Sequence, residues 1–197
     1  VLIDATRPFG FGRVLPRGLL REPVGNLRRA DAVIVTRADQ VGSDALDRLD
    51  DRIADLTGQP PIAHMAHRWT VLRDRDQQRP IDDLRHLKVV GACGIGNPGT
   101  FGLMLSRAAG EVLHLKVFDD HHAYAPAEVQ DLLRRAQRDG ADALMTTEKD
   151  WAKWRTLLGD QRFSVPVLRP VLTLEYLDGG DAVEALLHKA VRTTAVT

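Results

Sequence analysis

Cysteine is nearly absent from this sequence. Cys93 stands alone, which leaves no intrachain disulfide to form and fits a reducing compartment. Neither sign of charge is in excess: 27 Lys and Arg face 27 Asp and Glu, so no long-range pull on nucleic acid is expected and none is assigned as a partner. No apolar run approaches the roughly 20 residues of a membrane-spanning helix, and no stretch reads as a secretory signal. Contact with a membrane surface remains open. Two nucleotide-binding fingerprints are also missing. The chain holds no GxxxxGK[ST] loop, and Gly94-Ile95-Gly96 is not a full GxGxxG.

What is present is an α/β pattern. An apolar content of 44% over 197 residues supports a real core in one domain or two small ones. Short apolar runs at Val1–Ile3, Ala32–Val35, Val89–Ala92, Val112–Phe118 and Ala143–Met145 read as buried, mostly parallel strands separated by helices. Ser43 is placed to cap a helix running to Thr57 and stopped by Gly58, with Leu46, Leu49, Ile53 and Leu56 on one face. Further helices are expected around Phe101–Ala108, from Pro126 to Asp139, through Trp151, Trp154 and Leu157, and after Asp181, carrying Val183, Leu186, Leu187, Ala190 and Val191. Between Ile62 and Leu72 two strand pieces are expected, and residues 73–84 read as an exposed connection or hairpin. Val165–Leu168 reads as a short, edge-like strand limited by Pro166. Residues 193–197 read as a frayed tail.

The chemistry gathers at strand ends. Asp119-Asp120-His121-His122 follows an apolar run, and in open α/β sheets ligands bind outside the carboxyl ends of strands. A carboxylate beside an imidazole fixes its tautomer and favours its charged form, as in a general base. Thr147-Glu148-Lys149-Asp150 forms a second polar cluster at a strand end, and Asp4 ends the first strand. Gly94-Ile95-Gly96-Asn97-Pro98 joins a strand to a helix, where backbone N–H groups can receive an anion. Arg7–Pro23 holds three glycines, three prolines and four arginines in seventeen residues, a loop suited to phosphate or carboxylate recognition. His64 and His67, three apart in an extended segment, point to opposite faces and suit no common metal.

In this order, Asp4, Phe9-Gly10-Phe11-Gly12, Leu15-Pro16-Arg17-Gly18-Leu19-Leu20-Arg21-Glu22-Pro23, Gly94-Ile95-Gly96-Asn97-Pro98, Asp120-His121-His122 and Thr147-Glu148-Lys149-Asp150 resemble the tetraacyldisaccharide 4'-kinase family, the lipid A 4'-kinases. The resemblance implies a P-loop NTPase-like fold with a second α/β lobe. It implies transfer of the ATP γ-phosphate, with Mg2+, to the 4'-hydroxyl of a tetraacylated disaccharide 1-phosphate, the lipid A precursor. The place implied is the cytoplasmic face of the bacterial inner membrane, with peripheral attachment through a part of the protein outside this chain. Carried onto this sequence, His121 with Asp120 and Asp4 are the catalytic candidates, and Asp4 is the metal candidate. Arg21, Glu22, Gly94, Gly96, Asn97, Thr147, Glu148 and Lys149 are the substrate- or nucleotide-binding candidates. The family has Asn at the position of Phe11 and Ala at that of Arg17.

The opening at Val1 inside a strand, and the missing phosphate loop, lead to the expectation of a C-terminal portion that is inactive alone. Residues 1–36 are expected to end the nucleotide-binding core, 37–88 to connect, and 89–197 to form the C-terminal α/β lobe. The competing reading is a non-catalytic α/β module that binds a small molecule or anion at Gly94–Gly96.

Overall fold

Among the described residues, eight strands alternate with five α-helices, and several 3-10 turns fill the connections. The computed structural model describes residues 1–75, 77–159 and 163–194. Within the expected frayed tail, residues 195–197 lie outside the described residues. The chain divides into two compact units, Val1–Arg68 together with the segment from Thr173 onward, and Trp69–Leu172.

In the first unit, β1 (Leu2–Asp4), β2 (Ile34–Thr36) and the start of β3 (Ala63–Asp74) lie parallel, with Leu2 opposite Ile34 and Ile34 opposite Ala63. Helix α1 (Ser43–Thr57) packs Leu49 and Ile53 into a core with Ile3, Val33 and Val35. Gly58 ends α1 at a φ of 83°, a left-handed angle that glycine adopts without a Cβ clash. The cap at the other end differs from expectation: Gly42 is the N-cap and Ser43 is the first helical residue, with no side-chain cap. Val1 and Leu2, expected buried, are exposed, and only Ile3 of that run is inside.

The unit closes with the end of β8 (Val167–Asp178) and helix α5 (Gly180–Thr194). The expected short edge strand is thus the start of a twelve-residue strand that begins directly after Pro166. Val183 of α5 is buried, whereas Leu187 and Val191 are exposed, so the expected apolar face is only partly covered.

In the second unit, strands run in the order β8, β7 (Ala143–Met145), β5 (Lys88–Cys93), β6 (Glu111–Val117), all parallel. Successive β5 side chains point to opposite faces. Val90 and Ala92 join α3 (Pro126–Arg138), α4 (Glu148–Leu158), Tyr124 and Trp154 on one side. Val89 and Cys93 join Phe101 and Leu105 of α2 (Pro98–Ala108), with Leu72 and Leu84, on the other. The two strand pieces expected between Ile62 and Leu72 are one continuous β3, whose end pairs antiparallel with β4 (Gln77–Pro80) as the expected hairpin. β6 is less buried than its apolar sequence suggested: as the last strand in the order it has β5 on one side only, and Val117 is 46% exposed.

Candidate functional site

Three turns of the second unit meet at the carboxyl ends of adjacent parallel strands: the one after β5, the one after β6, and the start of α4 after β7. The turn after β6 carries Asp120 and His121. The Asp120 carboxylate accepts from the His121 backbone N–H at 3.0 Å and from Lys149 Nζ at 2.9 Å. The Lys149 hydrogen bond, helped by nearby positive charge and the His121 N–H, holds the Asp120 carboxyl below the usual carboxylate range in spite of partial desolvation, which pushes the other way. His121 Nε2 lies 3.7 Å from Asp120 Oδ2, and its side chain is 77% exposed. Its φ is 61°, a left-handed value that a histidine keeps only where the surroundings impose it.

His122 is built differently. Its Nε2 meets the Glu128 carboxylate at 3.1 Å, its ring packs 4.8 Å from both Phe118 and Tyr124, and its carbonyl accepts from Lys153. The adjacent imidazoles therefore divide into one packed ring and one open ring.

The turn after β5 comes close to both clusters. A Cβ at Gly94 would stand 2.6 Å from the buried Tyr124 hydroxyl, so that position needs glycine, whereas one at Gly96 would stand 3.2 Å from Asp120 Oδ2 and crowd only the end of that side chain. Asn97 caps α2, its Oδ1 accepting from the Thr100 N–H at 3.2 Å. Thr147 caps α4, its Oγ1 accepting from the Asp150 N–H at 3.1 Å. Gly94, Gly96, Asn97, Asp120, His121, Thr147 and Lys149 are thus gathered in one region.

Glu148 is directed elsewhere, to Arg73 at 3.4 Å and Arg169 at 3.3 Å. Asp4, Arg21 and Glu22 belong to the first unit. Asp4 is held by Arg37 and by the Thr6 N–H and hydroxyl at 2.9 and 2.7 Å; Glu22 is held by Arg29 and Asn26; Arg21 is exposed.

Sequence reasoning gave no role to Asp150 or Tyr124. Asp150 is fully buried, and its carboxylate accepts from the Gly94 N–H at 3.0 Å, the Tyr124 hydroxyl at 3.0 Å and the Thr147 hydroxyl at 2.7 Å. Burial, and then the negative charge of Asp150, push the Tyr124 hydroxyl far up and the Cys93 thiol up to about 11. A signal was available, since Thr147-x-x-Asp150 has the spacing of a helix-start capping pair.

The family model for tetraacyldisaccharide-1-P 4'-kinase matches residues 1–191. The chain belongs to the tetraacyldisaccharide 4'-kinase family. Relatives named tetraacyldisaccharide 4'-kinase include one from Anaeromyxobacter sp. (strain K), 34% identical over 97% of this chain and 50% of its own length, and one from Geobacter sulfurreducens, 36% identical over 97% and 50%. Another, from Halothermothrix orenii, is 32% identical over 78% of this chain and 43% of its own. The chain spans about half the length of the curated relatives it matches. The crystal structure of the "apo" form of LpxK from Aquifex aeolicus in complex with ATP shares the fold, with a TM-score of 0.59 and 24% identity over 95% of this chain and 50% of that one.

Against the chemistry that membership in the tetraacyldisaccharide 4'-kinase family implies, the two units offer different things. His121 presents an imidazole to solvent beside a carboxylate that can orient it and stabilise its protonated form. Lys149 presents a positive charge of the kind that neutralises phosphate oxygens. A divalent cation is less well served: no group of three His, Cys, Asp or Glu side chains able to hold a metal occurs among the described residues, and the Asp4 carboxylate is already engaged.

Proposed function

We propose that this chain supplies the C-terminal, acceptor-handling portion of an ATP-dependent lipid kinase, which phosphorylates the 4'-hydroxyl of the tetraacyldisaccharide 1-phosphate precursor of lipid A. The carrying observation is the Lys149–Asp120–His121 arrangement in a chain of this family. In the reaction, an acceptor hydroxyl attacks the γ-phosphorus of ATP, its O–P bond forms as the bond to ADP breaks, and its proton leaves. His121 takes that proton at the ring nitrogen that does not face Asp120, Asp120 stabilises the resulting imidazolium at Nε2, and Lys149 draws phosphate oxygens toward the site. Arg21 of the first unit is the further phosphate-binding candidate. ATP and Mg2+ are the proposed cofactors, and no step is assigned to the metal on the residues of this chain.

The 197-residue chain by itself is proposed to be inactive, since it contains no GxxxxGK[ST] loop. Peripheral association with the cytoplasmic face of the inner membrane is proposed as well. Exposed Phe11, Leu15 and Leu19 interleaved with Arg13, Arg17 and Arg21 support contact with a lipid surface. The alternative, a non-catalytic module that binds a small molecule or anion at Gly94–Gly96, is the reading left if a folded chimera transfers no phosphate.

The test uses radiolabelled ATP and the tetraacyldisaccharide 1-phosphate. The chain alone, and a chimera in which it replaces the matching segment of the Anaeromyxobacter relative, are assayed side by side. Transfer by the chimera and none by the chain alone is the expected result. A folded chimera without transfer overturns the kinase reading, and transfer by the chain alone overturns the proposed division of labour.

A further inference from the structure

The structure assigns to Asp150 the role of positioning residue for the His121 site, acting through backbone and hydroxyl groups. This rests on the kinase reading only for its kinetic consequence. Asp150 is 0% exposed and has no ion-pair partner among the described residues. Burying a carboxylate without a cation is costly unless donors replace water. Here three do: the Gly94 N–H, the Tyr124 O–H and the Thr147 O–H, all at 2.7–3.0 Å. The start of α4, where Asp150 lies in the first turn, adds the positive end of a helix dipole.

Each donor belongs to a different turn of the site. Gly94 opens the turn that carries Gly96 and Asn97. Tyr124 closes the turn that carries Asp120 and His121, whose other end is tied by the Phe118 N–H to the Cys93 carbonyl at 2.8 Å. Thr147 caps the helix whose next turn sends Lys149 to Asp120. One buried carboxylate thereby bonds to all three turns at once. None of these three contacts is with His121 itself, so Asp150 positions that ring and does not touch a reacting group.

The choice of carboxylate over amide follows from the donor count. Three donors converge on two oxygens. The Gly94 N–H and the Thr147 hydroxyl share Oδ2 and the Tyr124 hydroxyl takes Oδ1; an asparagine can keep the first two on its one oxygen but turns an NH2 toward Tyr124, so that bond must reverse and the charge that strengthens all three is lost. Tyr124 contributes a single hydroxyl on a ring already packed edge-on against Trp154 at 5.4 Å, so Tyr124→Phe removes one of the three bonds with little change in packing.

Two measurements test this. On the 197-residue chain, amide exchange at Gly94 and the ring resonances of His121 are recorded by NMR for wild type, Asp150→Asn and Tyr124→Phe. Protection at Gly94 is expected to fall about tenfold or more in Asp150→Asn as the charged acceptor becomes a neutral amide oxygen. The His121 resonances are expected to move in both variants. In the chimera, Asp150→Asn is expected to lower kcat about tenfold or more with KM for ATP nearly unchanged, and to have about twofold or less effect in a His121→Ala background, because residues acting as a unit are non-additive. Equal losses in both backgrounds, or unmoved His121 resonances, overturn the proposal. If Asp150→Asn does not fold, the same criteria are applied to Tyr124→Phe. If the chimera transfers no phosphate, the kinase reading fails while the NMR measurement still decides the positioning role.

Discussion

Both units place charged groups at the ends of parallel strands, yet they treat those charges in opposite ways. In the first unit the charges are consumed by one another. Asp4 is paired with Arg37, and Arg68 bridges Asp39 at 2.5 Å and Glu175 at 2.8 Å. His67 beside them is kept neutral more readily than a free histidine, first by burial and then by the Arg37 charge. In the second unit Asp150, the charged residue with no exposure among the described residues, is satisfied by neutral donors, while His121 and the Lys149–Asp120 pair lie at the surface. A cluster whose ions neutralise each other fixes a fold. A cluster braced from beneath by neutral donors keeps its outer groups, Lys149 with Asp120 and the open His121 ring, at the surface where a ligand can reach them.

The largest effect expected from breaking this contrast is at His121. In the chimera, His121→Ala should lower kcat by about 10²–10⁴-fold, the usual contribution of a positioned acid–base group, with little change in thermal unfolding because the ring is exposed. His122→Ala should do the reverse, lowering the unfolding temperature through lost contacts with Phe118, Tyr124 and Glu128 while leaving kcat within a few-fold. Equal kinetic losses at the two positions would remove the distinction between the open and the packed ring.

Next in size is the paired cluster. Arg37→Ala strands the Asp4 carboxylate in a half-buried place, and should cost about 2 kcal/mol of stability, read as a lower denaturation midpoint. If the midpoint is unchanged, the first-unit ions do not hold the fold and the comparison loses one side.

A smaller effect is expected at Phe11. Its φ is 66°, in a run where Phe9, Gly10 and Gly12 are also left-handed. A bulky residue pays about 1–2 kcal/mol there, whereas asparagine visits the region readily. Phe11→Asn should raise stability by about 1 kcal/mol, and an unchanged or lower midpoint would show that the Phe11 ring compensates for its backbone.

The smallest effect concerns His64, held between Asp50 at 3.0 Å and Asp178 at 2.9 Å. Burial alone would lower its pKa, but the two carboxylates outweigh that and raise it. A raised histidine pKa stabilises the folded state fully below the unfolded value of ~6.5, and the benefit fades as pH climbs through the higher folded value. The stability difference between wild type and His64→Gln should therefore shrink from pH 6 to pH 8. A difference that grows with pH would reverse the assignment.

The strands β1, β2, β5 and β7 and helices α1 and α3 were legible in the sequence, because apolar period, Gly58 and Pro126 mark them locally. The errors arise where neighbours decide. The apolar composition of β6 did not disclose its place at the end of the strand order, and Pro166 hid the length of β8 because it stands just outside the strand. The site was legible as two separate polar stretches. That Lys149 meets Asp120, and that Asp150 lies beneath both, follows from strand order, which places β7 and β6 on either side of β5. In the sequence Asp150 is one more charge in a charged tetrapeptide.

The second unit is continuous along the chain, whereas the first needs both ends of it. During synthesis the segment from Trp69 to Leu172 can complete its own core once it has emerged. The earlier strands must wait for Asp178 to reach His64 and for Gly179 to settle against Ile62 and Ala63, where a Cβ would meet the Ile62 carbonyl at 2.0 Å. A nascent chain whose Leu172 has left the ribosome while Asp178 has not would therefore have its His121-bearing unit assembled and the earlier strands still unlocked, open to chaperones and proteases in that unit alone.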